Sequence, residues 1–151
     1  MTSYEMKRTD MVKRIPAYIE DGFADSGCFG HLFDRHINKS DADMMRRCAR
    51  KKENVSSFIG NESDIVGAVK DVLRKNAEEI AEWMADDTDQ DDWSVYGNIK
   101  DYPIQGKIFL YNGKHNWKKG AKNCSEFVIA LSKSGDGNPG LFRIRSCYPI
   151  L

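Results

Sequence analysis

At Asp92 the chain changes its period. Before it, Ile65, Val69, Val72, Leu73, Ile80, Trp83 and Met84 recur mainly at three- and four-residue steps, the stripe of a helix with one buried face. After it come WSVYGNI, IQGKIFLYN, SEFVIALSK and LFRIRSCY, short runs rich in β-branched and aromatic residues and separated by Gly, Pro, Asn and Asp. Helices first and strands second predict an α+β domain, with N-terminal helices packed on a C-terminal antiparallel sheet of about four strands. The turn SGDGNPG makes the last two strands direct neighbours.

Local chemistry sets the helix ends. Ser40 is a good N-cap, with Asp43 three residues on and Asp41 in the first turn, so a helix is expected from Asp41 to Arg50 with Arg47 two turns in. GNESD caps the longer helix, and Asp86, Asp87, Asp89, Asp91 and Asp92 end it in an acidic loop. That loop lacks the ligand order and central glycine of a calcium-binding EF-hand and reads as a solvated linker. Residues 1–27, with weak periodicity, Pro16 and Gly22, are expected to form a leader or short helical segment, and residues 28–151 the domain proper. With 151 residues and 40% apolar side chains, one core is the expectation. No apolar run is long enough to cross a bilayer, and the start has no secretory apolar block.

The net charge of zero hides a partition. Residues 53–104 carry 13 acidic against 4 basic side chains, whereas residues 105–151 carry 2 against 8, so the last third can attract a polyanion that the whole molecule would not. Cys28, Cys48, Cys124 and Cys147 form no Cys-x-x-Cys pair, which argues against a zinc knuckle and for reduced, mostly buried thiols.

Three stretches hold side chains suited to phosphate chemistry. In GHLFDRHINKSDADMMRR, His31 and His36 stand five apart, about 140° around a helix, so they lack the four-residue spacing of paired helical zinc ligands. At least one of the two is expected to be a structural histidine. In the last strand, alternation puts Phe142, Ile144, Ser146 and Tyr148 on one face, and a core face that ends in hydroxyls often marks the lip of a cleft. The loop YNGKHNWKKGAKN sets Lys114, His115, Lys118, Lys119 and Lys122 around Trp117, a combination of cations and a stacking ring that suits single-stranded nucleic acid. Imidazole, guanidinium, hydroxyls and a basic loop together are the parts of a metal-free phosphodiester-cleaving site. Two other readings stay open: a non-catalytic RNA-binding module using the basic loop 112–123, and a metal-dependent hydrolase using histidines and cysteines.

GHLFDRHINKSDADMMRR, SSFIGNESDIVGAVKDVLRKNAEEIAEWM, YPIQGKIFLYNG and FRIRSCYPI resemble, in order and spacing, the bacterial ribonuclease A-like toxin domain. That domain is the C-terminal effector of contact-dependent growth-inhibition and related polymorphic toxins. The resemblance runs from Gly30 to Pro149, with His31, His36, Lys39 and Arg47 in register. It implies a ribonuclease A-like fold and metal-independent, cofactor-free cleavage of RNA by attack of the ribose 2′-hydroxyl. His36 would be the principal acid/base, Arg47 the phosphate and transition-state clamp, and Ser146 and Tyr148 the hydroxyls at the scissile phosphate. His31 would be a second acid/base or a residue that orders the site; Lys39 and, by residue type alone, Lys114, Trp117, Lys118 and Lys119 of the basic loop would bind RNA, tRNA among the candidates. The resemblance also implies a cognate immunity protein, and delivery within a larger toxin that acts in the cytoplasm of the target bacterium. Three positions depart from the family pattern: Phe29 and Asn38 replace glycines, and Ser146 replaces a threonine whose hydroxyl it keeps. Asn38 tolerates the left-handed backbone that glycine would adopt, so the turn before Ser40 is expected to survive.

Overall fold

The computed structural model describes residues 1–21, 32–86, 91–111, 120–133 and 141–151. Its helices are α1 (Ser3–Asp21), α2 (Leu32–Arg35), α3 (Asp41–Lys51), α4 (Glu62–Lys75) and α5 (Ala77–Ala85). The strands are β1 (Val55–Ile59), β2 (Asp92–Asn98), β3 (Gln105–Phe109), β4 (Lys122–Cys124), β5 (Glu126–Lys133) and β6 (Phe142–Ile150). The α+β class holds, and the four strands expected after Asp92 appear as β2, β3, β5 and β6. Two more join them: β1, buried without alternation along Val55–Phe58, and β4, only three residues long, neither of which shows a strand period.

The strands divide into two antiparallel sheets, one ordered β1-β3-β4 and the other β2-β5-β6. As SGDGNPG predicts, β5 and β6 pair directly, while the turn between them lies outside the described residues. The two sheets meet where β6 passes β1 and β3. Gly106 permits that approach: a Cβ there would stand 2.7 Å from the Cys124 carbonyl oxygen and 3.1 Å from the Pro149 Cβ. A side chain there would clash with the Cys124 main chain of β4 and crowd Pro149 of β6.

Helix boundaries follow the capping chemistry. Ser40 accepts a hydrogen bond from the Asp43 N–H at 3.1 Å and opens α3, and Asn61 accepts from the Ser63 N–H and opens α4. The long helix expected up to Asp86 is broken at Asn76. There the side-chain amide donates to the Val72 carbonyl at 2.8 Å and competes with the helical ladder, so the chain restarts as α5.

One large core lies between the helices and the β2-β5-β6 sheet, with Phe58, Leu73, Ile80, Phe127, Leu131 and Phe142 among its fully buried members. Ile15 and Ile19 of α1 belong to it, and the Tyr18 hydroxyl donates to the Phe142 carbonyl, so the first helix packs into the same body. A smaller cluster of Met44, Cys48, Val55 and Phe109 seats α3 on β1 and β3. No helix among the described residues is long and apolar enough to cross a membrane.

Strand β6 corrects the sequence reading at one point. Its register to β5 jumps from Ala130 opposite Ser146 to Leu131 opposite Ile144, which leaves Arg145 as the extra residue of a β-bulge. Phe142 and Ile144 therefore face the core with Cys147, whereas Ser146 and Tyr148 face the other way. Strict alternation put all four of Phe142, Ile144, Ser146 and Tyr148 on one face. The inserted residue shifts the phase between Ile144 and Ser146.

Candidate active site

The turn that carries His36 is built from main-chain bonds. α2 is a single turn closed by the His36 N–H on the Leu32 carbonyl at 2.9 Å. The chain then runs along the outer edge of β1, where Ile37 bridges Phe58 in parallel. The Phe58 N–H donates to the His36 carbonyl and the Asn38 N–H to the Phe58 carbonyl, each at 2.7 Å. Asn38 takes φ 52, the left-handed conformation expected of it. Its carboxamide also clamps Gly60 from both sides, donating to the carbonyl at 2.7 Å and accepting from the N–H at 2.9 Å.

Asn38→Ala removes both clamp bonds and leaves an alanine in a conformation that costs it about 1–2 kcal/mol. Urea unfolding is expected to show a loss of about 1–3 kcal/mol. Asn38→Gly is expected to lose less, because glycine adopts positive φ freely.

Further along the same edge, the Ser56 carbonyl bonds the His36 ring at Nδ1, 2.8 Å away. A carbonyl oxygen only accepts, so Nδ1 carries the proton and Nε2 carries the lone pair of the neutral imidazole. The ring is thus oriented by backbone, with its basic nitrogen turned away from β1. The Tyr148 phenol lies beside it, ring centroids 5.4 Å apart and tilted by 37°.

His36 and Tyr148, 112 positions apart in the chain, share a cleft of about 540 Å³ with Glu53, Asn54, Ser56 and Ile108 among its walls. The cleft sits at the junction of the two sheets. Glu53 brings a carboxylate to it, able to exchange a proton or accept from a base N–H edge. Asn54 is fixed by accepting from the Tyr111 N–H at 2.9 Å. Sequence reading missed Glu53, Asn54 and Ser56: they stand just before and at the start of β1, a strand whose burial does not alternate.

The remaining sequence candidates fall in different places. Ser146 is half-buried two residues from Tyr148, on the same face of β6. Arg47 is not among the cleft walls; its mostly buried guanidinium donates to the Arg35 carbonyl at 2.8 Å and lies 3.9 Å from the Asp43 carboxylate. It thereby braces the residue that precedes His36. The Lys39 N–H donates to the Ser57 hydroxyl at 3.1 Å, next to the His36 turn. His31, Lys114, Trp117, Lys118 and Lys119 lie outside the described residues, as does Cys28. Cys48, Cys124 and Cys147 are free thiols, and complete burial pushes that of Cys147 far up. No group of three His, Cys, Asp or Glu side chains placed to hold a metal occurs among the described residues.

Among curated proteins, none matches the chain. Among solved structures, a chain of the CdiA-CT/CdiI complex from Y. kristensenii superposes with a TM-score of 0.65. The match covers 81% of this chain and 100% of that one at 18% identity, a likeness of fold. The family model described as the bacterial CdiA-CT RNase A domain matches residues 30–149, a span that takes in the His36 turn, both sheets and the Tyr148 strand end. With most of its length inside that match, the chain belongs to the bacterial CdiA-CT RNase A domain family, the ribonuclease toxin domains of contact-dependent inhibition systems.

Proposed function

We propose that this domain cleaves RNA without a metal, by attack of a ribose 2′-hydroxyl on the adjacent phosphate, leaving a 2′,3′-cyclic phosphate and a free 5′-hydroxyl. The observation that carries this reading is the His36 imidazole, its Nδ1 bonded to the Ser56 carbonyl and its ring set against Tyr148 in one cleft. Nε2 is then the nitrogen that takes the 2′-hydroxyl proton as the new P–O bond forms. A second group protonates the departing 5′-oxygen; the family resemblance makes His31 either that group or a residue that orders the site.

Charge builds on the non-bridging oxygens as phosphorus becomes five-coordinate, and donors aimed at them lower the barrier. The Ser146 and Tyr148 hydroxyls supply such donors. Arg47, outside the cleft walls with one N–H on the Arg35 carbonyl and the Asp43 carboxylate 3.9 Å away, braces the His36 turn, and its remaining N–H groups would have to reach in toward the phosphate to offset the developing charge. Lys39 and the basic loop with Lys114, Trp117, Lys118 and Lys119 would hold the flanking RNA.

Within its system the domain travels as part of a larger toxin and acts in the cytoplasm of the target bacterium. A cognate immunity protein protects the producer; the structural neighbour is a CdiA-CT/CdiI complex. A partner of acidic surface would suit a site that attracts phosphate.

The test is to incubate the protein with total RNA and excess chelator. Cleavage undiminished by chelator is expected. Cleavage abolished by chelator and restored by a divalent ion would overturn the metal-free route, and RNA bound but uncut would favour the binding-module reading.

A further inference from the structure

We infer that the open face of the β2-β5-β6 sheet is a track for the RNA leading from the scissile phosphate, with Tyr96 as a stacking platform for a base and Arg143 as a cation for a phosphate. This rests on the ribonuclease reading and deepens it. The argument begins with strand register. Tyr96 of β2 stands opposite Val128 of β5, and Val128 stands opposite Tyr148 of β6, so the three side chains form one row on one face. Two strand spacings separate Tyr96 from Tyr148, about 9–10 Å. The floor between them is the buried Val128, with Ala130 beside it opposite Ser146.

Tyr96 is 64% exposed, an aromatic ring left in water in the middle of a strand. Its neighbours on that face of β2, Ser94 and Asn98, are uncharged, and the nearest charge by register is the exposed Glu126 of β5, opposite Asn98. The core face of the same strand is occupied, since Val95 is buried and Gly97 admits Val72 of α4.

The bulge supplies the cation. Without an extra residue, Arg143 would alternate onto the face opposite Ser146. With Arg145 inserted, Arg143 pairs with Ser132 and shares the face of Ala130, Ser146 and Tyr148. Arg145 reaches Asp92 on that same face at 3.2 Å and offsets its carboxylate, which also accepts from the Ser132 hydroxyl. Arg143 is exposed and makes no ion pair among the described residues. The row order Arg143, Ser146, Tyr148 thus sets a guanidinium beside the two hydroxyls, and Tyr96 across the sheet from them.

The test measures binding of a fluorescein-labelled single-stranded oligodeoxynucleotide, which lacks the 2′-hydroxyl and is not cut, to the full chain, alongside cleavage of the matching RNA. Tyr96→Ala is expected to raise Kd about 5- to 100-fold and Tyr96→Phe to leave it nearly unchanged. Arg143→Ala is expected to weaken binding and to lower the slope of log K against log salt by about 0.7. Tyr96→Ala and Arg143→Ala proteins that bind as tightly as the wild type, while the wild type cuts RNA, would overturn the track and leave the ribonuclease reading standing. Tyr96→Ala that loses affinity for the immunity protein alone would overturn it too, and reassign the ring to protein docking. A wild type that neither cuts RNA nor binds the probe would overturn both readings.

Discussion

Replacing His36 with alanine is expected to lower RNA cleavage by about 10²–10⁴-fold, the usual worth of a positioned proton-transfer group, and to leave the chain folded. The side chain is partly buried and bonds the Ser56 carbonyl, whereas the turn it sits on is held by backbone bonds to Phe58 that alanine keeps. His36→Asn separates chemistry from positioning. An asparagine amide can still donate to Ser56 but transfers no proton at neutral pH, so a loss as large as that of His36→Ala places the role on the imidazole nitrogen. Single-turnover cleavage of a short RNA reads both variants. Activity within tenfold of wild type in both would remove His36 from the reaction.

Phe58→Ala is expected to cost about 3–5 kcal/mol, out of a total stability of the order of 5–15 kcal/mol for a domain of this kind. The ring is fully buried and meets Phe127 edge-on, centroids 5.4 Å apart, so it joins β1 of one sheet to β5 of the other. Its backbone also holds His36 and Asn38, so the cavity lies directly behind the His36 turn. Phe58→Leu fills most of that space and is expected to lose clearly less. Urea unfolding measures both, and a loss below 1 kcal/mol for Phe58→Ala would show that the two sheets are held together elsewhere.

The parts of this fold that announce themselves are those governed by nearby residues. The Ser40 cap, the left-handed Asn38 and the β5-β6 hairpin are decided within a few positions of chain, and each appears where the sequence puts it. β1 and β4 are decided by distant partners. Val55–Ile59 is a strand because Gln105–Phe109 pairs with it, and nothing in VSSFI says so alone. The same limit applies to the site. His36 and Tyr148 are recognisable by type and motif, but Glu53, Asn54 and Ser56 join them only because β1 lies beside the His36 turn. The bulge at Arg145 is another case: alternation is a rule about regular strands, and one inserted residue reverses which side chains share a face.

The terminal chemistry of the cleaved RNA tests the central claim most directly. A metal-free transesterification steered by the His36 imidazole predicts fragments ending in 2′,3′-cyclic phosphate, with 5′-hydroxyl ends on their partners, formed in excess chelator. Fragments carrying 5′-phosphate and 3′-hydroxyl ends would contradict it, because water or a metal-bound hydroxide, and not the ribose, would then have been the nucleophile.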